Sequence, residues 1–111
     1  MTFEVLLAQE VVEFIDSQSV KMQANIEKTI DLLREFGYQL PMPYSKRLAQ
    51  SEKLKELRVK HGSDICRLFY FHFKNRTYIV TSGYVKKQNK TDKREIKKAI
   101  GIMNKLLEEL S

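Results

Sequence analysis

The chain has 111 residues, is 42% hydrophobic and carries a formal net charge of +6. That length suits a single domain over residues 1–111 with one modest core. No apolar run approaches the roughly 20 residues that a membrane-spanning helix needs. The N-terminus MTFEVLLAQEVVEF is acidic where a secretory leader would be basic, and the single cysteine, Cys66, lies in an apolar run. A reduced, cytoplasmic protein with a buried spectator thiol is expected.

The charge is unevenly placed. Residues 1–45 hold three Lys/Arg and seven Asp/Glu, while residues 46–111 hold seventeen and seven. A basic half of this kind fits a polyanionic partner, and it fits equally well a solvated face that keeps the protein soluble.

In chain order, FEVLLA (residues 3–8) predicts a short opening strand, and Val11, Val12 and Ile15 fit a helical turn or two. From Ser19 the recurrence of Met22, Ile26, Ile30 and Leu33 predicts a longer helix, which Gly37 ends. QLPMPYSK, with both prolines, reads as a loop, and Lys46 and Arg47 precede a short segment ending at Lys53. KELRVK alternates apolar and charged residues, ICRLFYFHF is apolar on both faces, and RTYIVTSGY follows a tight turn at Lys74 to Arg76. These predict a three-stranded meander. Ile96, Ala99, Ile100, Met103, Leu107 and Leu110 define a final amphipathic helix, with Asp92 and Glu95 as a capping box. The predicted class is α+β, a small antiparallel sheet with N-terminal helices and a C-terminal helix, all packed on one face.

If HGSD is a four-residue hairpin loop, Lys60 pairs with Ile65 and Arg58 lies directly opposite Arg67. Like charges facing across strands cost up to about 1 kcal/mol unless an anion or carboxylate fills the gap. A two-residue turn before the third strand places Tyr84 opposite Arg67, and a three-residue turn places Gly83 there. In either register Arg58, Arg67, Tyr84, Lys86 and Lys87 converge on one rim, with His61 in the adjoining turn. Taken singly, each arginine is better explained by a bond to Glu56 or a helix carboxylate, Tyr84 by packing, and the lysines by solvation. Only the convergence favours phosphate binding. The sequence holds no metal-ligand spacing, no phosphate-cradling glycine loop and no nucleophile elbow, so neither metal nor cofactor is expected.

KRLAQSEKLKELRVKHGSDICRLFYF and YIVTSGYVKKQNKTDKREIKKAI together resemble the RelE/ParE toxin superfamily, and most nearly its HigB-like branch, which includes phage Gp49-like proteins. The resemblance rests on Lys46, Leu48, Leu54, Glu56, Leu57, Arg58, Arg67, Tyr84, Lys86, Lys87 and Ala99, and covers residues 46–100. It implies a RelE-like fold and a toxin that cleaves mRNA on the ribosome, held inactive by an antitoxin of the helix-turn-helix type. The 2′-OH would attack its own phosphate. Arg67 is the first choice for stabilising the resulting charge, with Arg58 beside it. Lys86 or Lys87 is the candidate base, His61 a rival, and Tyr84 a stacking platform. Lys46, Arg47, Lys60, Lys90 and Lys93 are candidate RNA contacts. Some relatives place a tyrosine or histidine near the C-terminus, whereas this chain ends in KLLEELS with neither. The alternatives are a ParE-like gyrase inhibitor, a catalytically silent relative, or a plain nucleic-acid-binding module.

Overall fold

The computed structural model describes residues 2–41, 44–48, 51–87 and 91–110. The elements run β1 (Glu4–Leu7), α1 (Gln9–Asp16), α2 (Val20–Phe36), a 3₁₀ turn (Gly37–Gln39), β2 (Ser45–Leu48), β3 (Ser51–His61), β4 (Asp64–Lys74), β5 (Thr77–Val85) and α3 (Lys93–Leu110).

Local chemistry sets the helix ends. The Ser19 hydroxyl accepts the Met22 N–H at 3.2 Å and starts α2. Gly37 ends it at φ 55°, where a Cβ would stand 2.1 Å from the Phe3 ring, so only glycine fits. Asp92 precedes α3 and accepts the Arg94 N–H at 2.9 Å. The Asp92 N–H itself goes to the Tyr84 hydroxyl at 3.0 Å, the donor that a capping-box glutamate would otherwise take.

Five strands form one sheet in the order β1-β5-β4-β3-β2; β1 runs parallel to β5, and the other neighbours are antiparallel. The meander is thus wider than the three strands read from the sequence. The missed strand is β2, where the two central residues, Lys46 and Arg47, are exposed and no apolar alternation marks it. It forms because β3 offers it a backbone edge, and because the buried Ser45 hydroxyl pairs with the Tyr70 hydroxyl at 2.5 Å. The expectation that all helices share one face also fails. One core cluster joins α1 and α2 to Leu57, Val59, Leu68, Tyr70 and Val80. A second joins α3 to Leu54, Phe69, Phe71 and Ile79. The apolar residues on both sides of β4 require cover on both sides, so α3 takes the face that α1 and α2 leave open.

Register fixes what faces what. Arg58 pairs with Arg67, and Arg67 with Tyr84. The β4–β5 turn has two residues, Asn75 and Arg76, with Asn75 at φ 51°. Phe73 is then an extra residue on β4, and Thr81 an extra residue on β5, as the ladder shifts between Phe69 and Tyr70. The two irregularities cancel and return Tyr84 to Arg67. Gly83, directly opposite Leu68, lets α1 approach, since a Cβ there would lie 2.4 Å from the Leu68 side chain and 2.8 Å from Phe14.

Candidate functional site

Residues directly opposed across strands share a face. Leu54 packs under α3, so Glu56 and Arg58, two and four residues on, lie on that same face, together with their partners Lys46, Phe69 and Arg67. Past the N-terminal end of α3 this face carries the charged cluster.

At its centre is Glu56, fully buried, with a carboxylate that accepts Arg67 Nη1 at 2.6 Å. The Thr91 hydroxyl donates to the other carboxylate oxygen at 2.8 Å and also accepts from Arg67 Nη1. Arg67 is therefore neutralised by a carboxylate of the chain itself, carried two residues before Arg58 on β3. Arg67 is only 2% exposed. It is held in the framework, and it does not present its guanidinium to solvent as a first phosphate ligand would. Arg58 differs. It is half-buried, makes no side-chain ion pair among the described residues, and its buried Nε lacks a hydrogen-bond partner.

Lys86 enters from the end of β5, where its N–H donates to the Ile65 carbonyl at 2.7 Å. Partial burial, then the nearby Arg67 and Arg58, hold its ammonium pKa below the usual lysine value, with Lys46 adding to the depression and Glu56 opposing it. Tyr84 stacks on Phe69, centroids 5.8 Å apart and planes 13° apart, and burial raises its phenol pKa. One ring face and the hydroxyl are thus committed to holding α3 against the sheet.

Of the five residues expected to converge, Arg58, Arg67, Tyr84 and Lys86 come together, and Lys46 joins them from β2. Lys87 is exposed beside Lys86, and Lys93 is exposed at the start of α3. Lys60 is exposed near the hairpin end, its carbonyl bonded to Asn25 Nδ2 at 3.1 Å. Two candidates lie elsewhere. His61 turns toward α2, its Nδ1 lying 3.4 Å from Asn25 Nδ2, so it is not a rival base on this face. Arg47 opposes Lys55 and so shares the α1/α2 side. Lys90 lies outside the described residues. Thr91 was not anticipated in the site, and Glu56 was anticipated only as a structural partner of an arginine, which it is for Arg67. The alternation of KELRVK was signal enough for Glu56, since it puts the carboxylate on the side of Arg58. Nothing local marks Thr91. Among the described residues, no group of His, Cys, Asp or Glu is arranged to hold a metal, and no helix is long and apolar enough to cross a membrane.

This sheet and its helices define a RelE-like fold. An archaeal RelE from Pyrococcus horikoshii OT3, solved as a RelE–RelB complex, superposes with a TM-score of 0.55 over 82% of this chain and 100% of that one, at 15% identity. No curated protein matches the sequence at a significant level. Residues 13–104 match the family of phage derived protein Gp49-like (DUF891), and the chain belongs to that family.

Proposed function

We propose that this protein is the toxin of a toxin–antitoxin pair and an endoribonuclease that cuts mRNA on the ribosome. The observation that carries the reading is the gathering of Lys46, Arg58, Arg67 and Lys86 around one buried carboxylate, whose ion pair goes to Arg67 while Arg58 makes none among the described residues. One carboxylate offsets one cation, and the remaining positive charge faces the open side of the sheet.

In the proposed reaction the RNA 2′-oxygen forms a bond to the adjacent phosphorus and the bond to the 5′-oxygen breaks, leaving a 2′,3′-cyclic phosphate. Arg58 donates to the phosphoryl oxygens as charge grows on them; preorganised donors of this kind act without reorganising at the moment of reaction. Arg67, fixed by Glu56 and Thr91, sets the position of Arg58 and Lys86 and adds its field. Lys86, with its depressed pKa, supplies the neutral amine that takes the 2′-OH proton, and a neighbouring lysine ammonium protonates the leaving oxygen. Ribosome-bound message would arrive with its backbone already oriented, which suits a site with this little acid–base equipment.

The partner is proposed to be an antitoxin, of helix-turn-helix type, encoded beside it; the RelB bound to the structural relative supports a partner of this role. Expression of the chain alone is expected to arrest growth with rapid loss of translated transcripts, and co-expression of the adjacent gene to restore it. Arrest with intact transcripts and poisoned gyrase would transfer the assignment to the ParE-like alternative.

A further inference from the structure

On the opposite side of the sheet, beside the 3₁₀ turn that follows α2, a cleft of about 250 Å³ is lined by Tyr38, Lys53, Lys55, Tyr70, His72 and Tyr78. Tyr70 and Tyr78 are buried, at 1% and 4% exposure, and form its floor, whereas Tyr38 is 69% exposed. The rings are locked against one another edge to face. Tyr70 and Tyr78 lie 5.8 Å apart at 64°, His72 and Tyr78 5.4 Å apart at 66°, and Tyr38 rests on Phe3 at 6.1 Å and 79°. The Asn75 carbonyl, 2.7 Å from His72 Nε2, fixes the imidazole further.

The cleft is also cationic. Lys53 is exposed, Lys55 is half-buried, and Arg47 stands opposite Lys55 on the same face. Burial and then Arg47 keep the Lys55 pKa below its usual value. No carboxylate is among the described lining residues. Fixed aromatic surface beside cations is what binds unpaired nucleotides, because every base has a stacking face and every link between bases is an anion. The volume is below the roughly 300–1,000 Å³ of a whole small-molecule site, which suits one planar ring with its phosphates outside.

We propose that this cleft holds one base of single-stranded RNA against Tyr38 and the aromatic floor, with the flanking phosphates on Lys53, Lys55 and Arg47. It is a second nucleic-acid contact, separate from the arginine rim and on the other face of the sheet.

The test measures binding of a fluorescein-labelled oligoadenylate by anisotropy at low salt, in a background where the rim is disabled by Arg58→Ala and Lys86→Ala. That background is expected to retain salt-sensitive binding, and adding Tyr38→Ala to weaken it roughly tenfold, the scale of one lost base stack. Lys53→Glu, at an exposed position, should weaken it similarly, and it keeps the test decisive if Tyr38→Ala proves to melt early. Loss of all binding in the rim background, or unchanged binding on adding either cleft substitution, would overturn the proposal. Competition by adenosine monophosphate as effective as that by the oligomer would overturn the single-strand assignment in favour of a free nucleotide. None of these readings requires message cleavage, so the cleft can stand or fall apart from the proposed nuclease.

Discussion

Replacing Glu56 by leucine tests the centre of the charged cluster. Glu56 is fully buried and Arg67 is 2% exposed, with 2.6 Å between Oε1 and Nη1. Removing one member strands the other as an uncompensated buried charge, at a cost of roughly 3–5 kcal/mol. Unfolding entropy near the midpoint is about 2.1 cal/mol/K per residue, or about 0.23 kcal/mol/K for 111 residues. Glu56→Leu should therefore melt roughly 13–21 °C below the parent, and Arg67→Met by a similar amount. The double variant Glu56→Leu/Arg67→Met removes both charges, and replacing a whole buried pair by apolar groups is often close to neutral. It should recover most of the loss. The assay is thermal unfolding followed by circular dichroism for the four proteins in one buffer. A Glu56→Leu protein melting within about 3 °C of the parent, or a double variant no more stable than the worse single, would refute the account of a buried lock.

Other outcomes follow from the same geometry. Cleavage should speed up as pH rises until Lys86 is deprotonated, at an inflection below the ordinary lysine pKa because burial and two arginines depress it; Lys86→Gln should remove that limb from the pH–rate profile. Tyr84→Phe keeps the stack on Phe69 but orphans the Asp92 N–H, costing about 1 kcal/mol in chemical denaturation and loosening the start of α3 in amide exchange. Cys66 is buried with its thiol pushed up to about 11 by burial and then by Asp64, so alkylation at neutral pH should be slow in the native protein and fast in denaturant.

Periodicity carried most of the fold. The spacing of Met22, Ile26, Ile30 and Leu33 marks α2, and all four residues are buried. The turn HGSD fixes the Arg58–Arg67 opposition because a hairpin counts residues symmetrically from its turn. What the sequence hid was tertiary in origin. β2 exists by courtesy of a neighbouring edge, and Tyr84 meets Arg67 only because the extra residue at Phe73 is undone at Thr81. The rim was legible as a place but not as a division of labour. Two arginines of identical chemistry stand opposite each other, and only burial and the Glu56 ion pair separate Arg67 from the half-buried Arg58. His61, expected in the turn, is instead the last residue of β3, and strand alternation puts it on the side of Asn25, opposite to Arg58.

The most direct test of the central claim is cleavage of a defined message in a purified translation system, comparing the parent with Arg58→Ala. The parent is expected to cut ribosome-bound RNA and leave a 2′,3′-cyclic phosphate, and Arg58→Ala to melt normally while cutting roughly 10²–10³-fold more slowly, the usual effect of losing one preorganised charge-stabilising donor. Intact message with the parent protein, or cleavage by Arg58→Ala at the parental rate, would contradict it.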